Sequence, residues 1–275
     1  MDTNIYAIFF SPTGNTELVT RAIAGGLAKV LTDKDYYAIN ITPSFNREGA
    51  LEFGKGDIVV VGLPTYAGRV PNKLEPFVAE AVFGDDAIVI PVVTYGNRAY
   101  DDSLYELATL LWDNGMNIAG YAAVPCEHAF SSDINSGRPD KDDINVLFEY
   151  GMQLGEAYKQ GKLKNILPYD IDRLHKDELK YYIPLKENHE PAKFLKAMPK
   201  TDEKKCTGCG TCKEVCPMNC FDNSVVLPEG VCIKCMACVK ACETSAKYFD
   251  DSDFESHVEM LRKEYADIVN KIELG

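Results

Sequence analysis

Apolar positions in the first 160 residues fall into two alternating kinds of segment. Continuous runs at Asn4–Phe10, Tyr36–Ile41, Asp57–Leu63, Ala87–Val93 and Ile118–Val124 read as strands buried on both faces. Between them lie stretches with helical spacing: Asn15–Leu31, Asn72–Phe83, the stripe Leu104, Leu107, Ala108 and Leu111, and Asp140–Gln160 with Ile144, Leu147, Phe148 and Leu154 inward. Buried parallel strands need helical cover on both sides, so the expected class is α/β, a doubly wound five-stranded parallel sheet. Five such units match the strand order 2-1-3-4-5.

Beyond about residue 160 this alternation stops. Pro168, Pro184, Pro191 and Pro199, mixed with lysines and acids, indicate a connector with a short helix at most. A cysteine-rich stretch follows. Then Phe254, Val258, Leu261, Tyr265, Ile268 and Ile272 recur at helical spacing through a terminal helix. That stripe is read as packing on the chain's own domains, with dimerisation as the alternative, which leaves a monomer or a homodimer. The expected organisation is a first domain over 1–163, a connector over 164–200, a cysteine-rich domain over 201–250 and an amphipathic helix over 251–275.

Charge and composition narrow the function. The 275 residues carry a net charge of −13, so no basic surface is available to replace the counterions of nucleic acid. An acidic balance suits docking onto a basic partner and also serves solubility. No run approaches the ~18 apolar residues of a membrane span. Met1-Asp2-Thr3-Asn4 leads straight into a strand without a basic leader, so a cytoplasmic location is expected. Nine of the ten cysteines lie between 206 and 242, a clustering that reads as metal ligation rather than cross-linking.

Cys206-x2-Cys209-x2-Cys212-x3-Cys216-Pro217 is followed by Cys232-x2-Cys235-x2-Cys238-x3-Cys242. A [4Fe–4S] cube needs four thiolates arriving from different directions, which three close cysteines plus a remote fourth provide. Structural zinc is the alternative, but it favours pairs of C-x2-C with longer gaps. The segment resembles bacterial two-cluster ferredoxins. That resemblance implies two clusters with exchanged fourth ligands: Cys206, Cys209, Cys212 and Cys242 for one, and Cys232, Cys235, Cys238 and Cys216 for the other. Two positions depart from the family pattern: Glu243 stands where a proline follows the last cysteine, and Cys220 where a small apolar residue is usual. Cys220 is read as a buried spectator, with a spare thiol for cluster repair as the alternative.

At the start of the chain, Ser11-Pro12-Thr13-Gly14-Asn15-Thr16 joins the first strand to the first helix. Its amides and hydroxyls form an anion nest at a helix N-terminus, and Gly14 permits close backbone approach. A well-capped helix start without ligand is the plainer reading. Placed after strand one of this pattern, the loop resembles the phosphate loop of flavodoxins. The resemblance implies FMN, with Ser11, Thr13, Gly14, Asn15 and Thr16 at its phosphate. Two further loops would flank the ring: Pro64, Thr65, Tyr66, Ala67 and Gly68, and Thr94, Tyr95, Gly96, Asn97 and Tyr100. No G-x-G-x-x-G follows a strand, so direct nicotinamide binding is not signalled. His128, after strand five, is a candidate proton donor, against the reading of a hydrogen-bonded loop residue. Cys126 is read as core, and His175, His189 and His257 as surface residues. Arg69 and Arg98 are candidates for steering an anion, against simple solvation.

The combination resembles the flavodoxin–ferredoxin fusion proteins of anaerobes. Clusters move single electrons and FMN holds one or two, so fusion makes transfer between them intramolecular, at an effective concentration on the order of mM. An oxidoreductase reducing a small acceptor at the flavin is one expectation. A pure carrier docking to a larger redox partner is the second, and a redox sensor or assembly protein the third. A ferredoxin or other low-potential donor would supply the electrons, and the direction could be reversed.

Overall fold

The structure is a computed structural model that describes residues 3–32, 34–171, 179–221 and 223–275. The expected connector includes residues 172–178, and with them His175, which lie outside the described residues.

Five parallel strands carry the N-terminal part: β1 (Ile5–Phe9), β2 (Tyr37–Asn40), β3 (Ile58–Pro64), β4 (Ile88–Tyr95) and β5 (Ala122–Pro125). They lie in the order β2-β1-β3-β4-β5, the flavodoxin-like order that the alternating pattern implies. Four helices cover them: α1 (Asn15–Leu31), α2 (Glu75–Ala81), α3 (Ser103–Asp113) and α4 (Lys141–Lys159). Apart from the edge strand β2, the apolar runs have no polar face because each strand feeds two cores. Val59, Val61, Val89 and Val93 point to the α2–α3 side, and Ile58, Val60, Ile90 and Val92 to the α1–α4 side.

Pro91 sits inside the central strand β4, where a missing N–H would normally break a ladder. It falls opposite the interruption between the short strand Asn117–Ile118, which pairs with Ile88 and Val89, and β5, which pairs from Val92 onward. No ladder bond is lost there. Helix α4 starts on a reciprocal cap: Asp140 accepts from the Asp142 and Asp143 N–H groups, and Asp143 accepts from the Asp140 N–H.

The terminal helix is shorter than the apolar stripe suggests. It runs Ser252–Tyr265, and we label it α5. The side-chain amide of Asn97 donates to the carbonyls of Tyr265 and Ile268, both at 2.8 Å, and the chain turns off the helix there. Glu273–Leu274 then adds an antiparallel strand to the free edge of β5, so the segment 251–275 is a helix, a turn and a strand rather than one helix. Its stripe is used inside the chain: Phe254, Val258 and Leu261 are buried.

Helices α1 and α4 cross at two glycines. A Cβ on Gly26 would lie 2.0 Å from the Phe148 carbonyl oxygen, and one on Gly151 would lie 2.2 Å from that of Ile23. Backbone meets backbone, so neither neighbour can swing aside. Gly26→Leu is expected to cost about 3 kcal/mol or more in denaturant unfolding; a variant as stable as the parent would show that the two helices are not in contact.

Candidate functional site

The loops after β1, β3, β4 and β5 meet at the carboxyl edge of the sheet, where ligands bind in open α/β folds. They enclose a cavity of about 250 Å³. Thr13, Asn15 and Thr16 line it from the first loop, Pro64, Thr65, Tyr66, Ala67 and Gly68 from the second, and Thr94, Tyr95 and Gly96 from the third. Gly14 takes a φ of +95° as the cap residue of α1. The Asn15 and Thr16 N–H groups, in the first turn of α1, have no helical acceptor, whereas the Glu17 N–H is taken by Ser11 Oγ at 3.0 Å. Thr16 Oγ1 and Thr94 Oγ1 lie 2.7 Å apart and tie the first loop to the end of β4.

The second loop is a tight turn with Ala67 at φ 50° and Gly68 at φ 79°, closed by reciprocal backbone bonds between Tyr66 and Arg69. Its Ala67 carbonyl accepts the N–H of Tyr182 at 2.8 Å, so the connector is bonded to the loop. Four expected residues do not line the cavity. The Ser11 hydroxyl is engaged at the helix start, and Gly14 contributes only backbone conformation. Asn97 is fully buried and holds the terminal segment, and the Tyr100 hydroxyl donates to Glu273 at 2.7 Å. Neither arginine is a free cation. Arg69 forks onto the buried Glu106 carboxylate, and Arg98 pairs with Asp101 and stacks on Tyr182 at 3.7 Å.

The far wall of the cavity comes from elsewhere in the chain: Tyr182, Pro184 and Phe194 of the connector, Ile233, Lys234 and Cys235 of the cysteine-rich segment, and His257 and Leu261 of α5. Phe194, Met236, Phe254 and Val258 form a small core with Phe130 of the loop after β5, and this core fastens the wall. Polar latches add to it: Lys240 Nζ to Glu127 at 2.9 Å, and Arg47 to the Pro217 carbonyl at 2.6 Å. The surface reading of His257 is therefore wrong, since the residue is 4% exposed. The α5 stripe carried that signal, because His257 adjoins Val258.

Both cavity histidines are neutral. His128 Nδ1 accepts the Phe130 N–H at 3.0 Å, which places its proton on Nε2. Burial pushes His128 down to about 3, and the charges of His257, Lys240 and Arg98 act in the same direction. His257 is also lowered by burial, although its Nδ1 lies 2.8 Å from the Leu185 carbonyl. A neutral His128 can donate a hydrogen bond but carries no spare proton. Burial also pushes the Tyr66 phenol well up, with the Cys235 and Cys232 thiols adding to the shift. Tyr66 thus stands beside the cysteine-rich segment.

That segment contains two further cavities. Cys206, Cys209, Cys212 and Cys242 line one; Cys216, Cys232, Cys235 and Cys238 line the other, which Cys220 also borders. Each gathers three cysteines of one run and the fourth of the other, with an otherwise largely apolar wall. Four thiols converging on a small recess suit a [4Fe–4S] cube. The two runs bend alike: φ is positive at Gly208 and Lys234, at Gly210 and Met236, and at Asn219 and Ser245. Those turns aim amides at sulfur, with Cys220 N donating to Cys216 Sγ at 3.3 Å and Ala246 N to Cys242 Sγ at 3.2 Å. The Cys206–Cys242 cavity lies toward solvent, Cys209 being exposed. The other shares Ile233 and Cys235 with the cavity at the sheet edge.

Two 4Fe-4S binding domain models match the chain, at residues 199–222 and 229–245. One of the subunits of the H(2):CoB-CoM heterodisulfide,ferredoxin reductase is similar over 80 residues in Methanothermobacter marburgensis and in Methanothermobacter thermautotrophicus, at 34% identity in each. The match covers 22% of this chain and spans only 12% of the length of those relatives. Among solved structures, a flavodoxin from the domain Archaea overlaps 57% of this chain and 99% of its own, at 16% identity and a TM-score of 0.43. The flavodoxin of Streptococcus pneumoniae TIGR4 overlaps 57% and 99%, at 19% identity and 0.39. Strand order, rather than these overlaps, assigns the fold. Fold and matched segments define an electron-transfer protein that binds 4Fe–4S clusters. In it a flavodoxin-like domain and a ferredoxin segment are fused in one chain.

The histidines yield a pH prediction. Their folded values lie below the ordinary 6.5, so the unfolded chain takes up these protons first as pH falls. The stability they contribute is complete above that value and is lost as pH drops through the folded values. Thermal unfolding of the holoprotein is expected to shift downward between pH 6.5 and about pH 5, and His128→Phe to flatten that slope. An unaltered slope would remove His128 as its source.

Proposed function

We propose that the protein is an FMN- and iron–sulfur-dependent oxidoreductase. It gathers single electrons from a low-potential redox protein at its exposed cluster and passes them to a small acceptor at the flavin. One observation carries this reading: Ile233 and Cys235 wall both the cavity at the sheet edge and the adjoining four-cysteine cavity. When bound, the clusters supply one-electron steps and the flavin couples them to two-electron chemistry.

The residues divide the work. Cys206, Cys209, Cys212 and Cys242 hold the outer cluster; Cys232, Cys235, Cys238 and Cys216 hold the inner one. The amides of Thr13, Asn15 and Thr16 hold the FMN phosphate, with the Thr13 hydroxyl as a further donor. Tyr66, Tyr95 and the Ala67–Gly68 turn flank the ring. His128, neutral, donates a hydrogen bond from Nε2 and orients, so the protons of the reaction come from water.

The far wall favours an enzyme over a carrier. With connector, inner run and α5 all against the cavity, face-on docking of a second protein over the ring is disfavoured. Protein partners are met at the Cys209 side, and whatever leaves from the flavin must be small. A flavin fed and emptied only through the clusters would store electrons but not relay them.

Anaerobic isolation is expected to give about eight irons per chain and one FMN. Reductive titration should take the flavin directly to its two-electron form, fed by clusters of lower potential. Cys235→Ser should leave the flavin oxidised when a protein donor supplies the electrons, while dithionite still reduces it. Fewer than roughly seven irons in the parent would overturn the two-cluster assignment. Flavin reduction by the protein donor at the parental rate in Cys235→Ser would overturn the route. Flavin uptake in two well-separated one-electron steps would return the protein to the carrier reading. Gly14→Val tests the phosphate loop separately, because the side chain has open space but the backbone at φ +95° resists it. The variant should lose FMN and keep its iron, and full FMN retention would remove Gly14 from the site.

A further inference from the structure

Lys247 is 4% exposed, inside the ferredoxin segment. It is the fifth residue after Cys242, and its counterpart, fifth after Cys216, is Phe221. The two touch: Lys247 Nζ lies 3.9 Å from the centroid of the Phe221 ring. A charge therefore occupies a position at which the matching half of the same module buries a phenyl ring.

The surroundings of Nζ require the charged form. It donates to Thr201 Oγ1 at 2.7 Å and, at closer range, to the Val225 carbonyl. Thr201 Oγ1 already gives its own hydrogen to the Val226 carbonyl at 2.8 Å, so it can only accept from Lys247. The third side faces a π cloud. Three accepting neighbours match the three N–H bonds of an ammonium and leave nothing to meet the lone pair of an amine. Yet among the described residues no carboxylate lies within ion-pair distance of it. A buried ammonium without an anion is costly, and natural interiors hold such a charge where something negative faces it.

Sulfur is the group at hand. Lys247 lines the cavity of Cys206, Cys209, Cys212 and Cys242. It also stands next to the other set: the Phe221 ring beneath Nζ lines the cavity of Cys216, Cys232, Cys235 and Cys238. We infer that Lys247 is the internal counter-cation of the iron–sulfur pair, a positioning residue that stabilises the added electron on both clusters and so holds their potentials up. A cluster ligated by four thiolates is an anion that gains one more negative charge on reduction, so a fixed cation favours the reduced form. Placed where it acts on both sets, the same charge lessens the repulsion between two reduced clusters, the state from which a pair of electrons leaves. The inference rests on the cysteine assignment above and is independent of the flavin's acceptor.

The test compares Lys247→Met and Lys247→Arg with the parent holoprotein, reading iron content, FMN content and cluster potentials by anaerobic EPR titration. Lys247→Met should keep its iron and need a more negative potential. At a fixed potential its ratio of reduced to oxidised cluster should fall on the order of tenfold. Lys247→Arg should stay near the parent. A Met variant that loses iron while the Arg variant keeps it also supports the charge. Full iron with unmoved potentials in Lys247→Met overturns the inference, as does equal loss of iron from both variants, which would make shape the only requirement. A parent holding few irons would instead sink the cysteine assignment, so the two failures are distinguishable.

Discussion

Electrons leave one centre for another only over short gaps, and under the function proposed above the rest of the chain depends on that constraint. The inner four-cysteine cavity and the cavity at the sheet edge are separated by little more than Ile233 and Cys235. Keeping so thin a partition in register requires the ferredoxin segment to be fixed against the sheet edge rather than tethered. The Phe194–Met236–Phe254–Val258 core, the Lys240–Glu127 pair and the Arg47–Pro217 contact hold it there. The connector and α5 contribute to this registration and also form the far wall of the cavity.

The same requirement accounts for how charge is placed. In a chain of net charge −13, the charge on the cavity wall is paired or silent except at Lys234. Arg69 is matched by Glu106 and Arg98 by Asp101, and both histidines are uncharged. Two lysines near the cysteines lack a carboxylate partner among the described residues: Lys234, which donates to the Leu195 and Cys232 carbonyls at the wall, and Lys247 in the sulfur-rich interior. A site built this way keeps the driving force of electron transfer insensitive to surface ions, because the charges that matter lie beyond the reach of screening.

Much of the architecture could be read from residue order, for reasons that also explain what could not. Parallel strands buried on both faces give unbroken apolar runs, and ligand spacing in the cysteine runs is local, so both leave a signature within a few neighbours. The loops after β1, β3 and β4 could be placed for the same reason, each following directly from a strand end. The far wall left no such trace. Tyr182, Pro184 and Phe194 belong to a segment without periodicity, and their position depends on contacts with residues far away in sequence. Asn97 was legible only as part of a loop; its partners are carbonyls at the other end of the chain. The strand Glu273–Leu274 is two residues long, too short for a period to show. His128 follows a strand end and so could be assigned to the loop after strand five, but its protonation depends on burial that only packing determines.

The two cysteine runs share one backbone and differ in what they hang on it. Where the outer run has Gly208 and Gly210, the inner run forces Lys234 and Met236 into the same left-handed turns, at a cost of about 1 kcal/mol or more each. Those side chains offset the strain: Lys234 reaches the Leu195 carbonyl, and Met236 enters the core against Phe254. The halves are consequently not interchangeable. Transposing them would leave every ligand spacing intact while turning a bare glycine surface toward the sheet and an adhesive one toward solvent. A module that is symmetric in its ligands has a front and a back, and the order of its halves along the chain is as much a part of the protein as its cysteines.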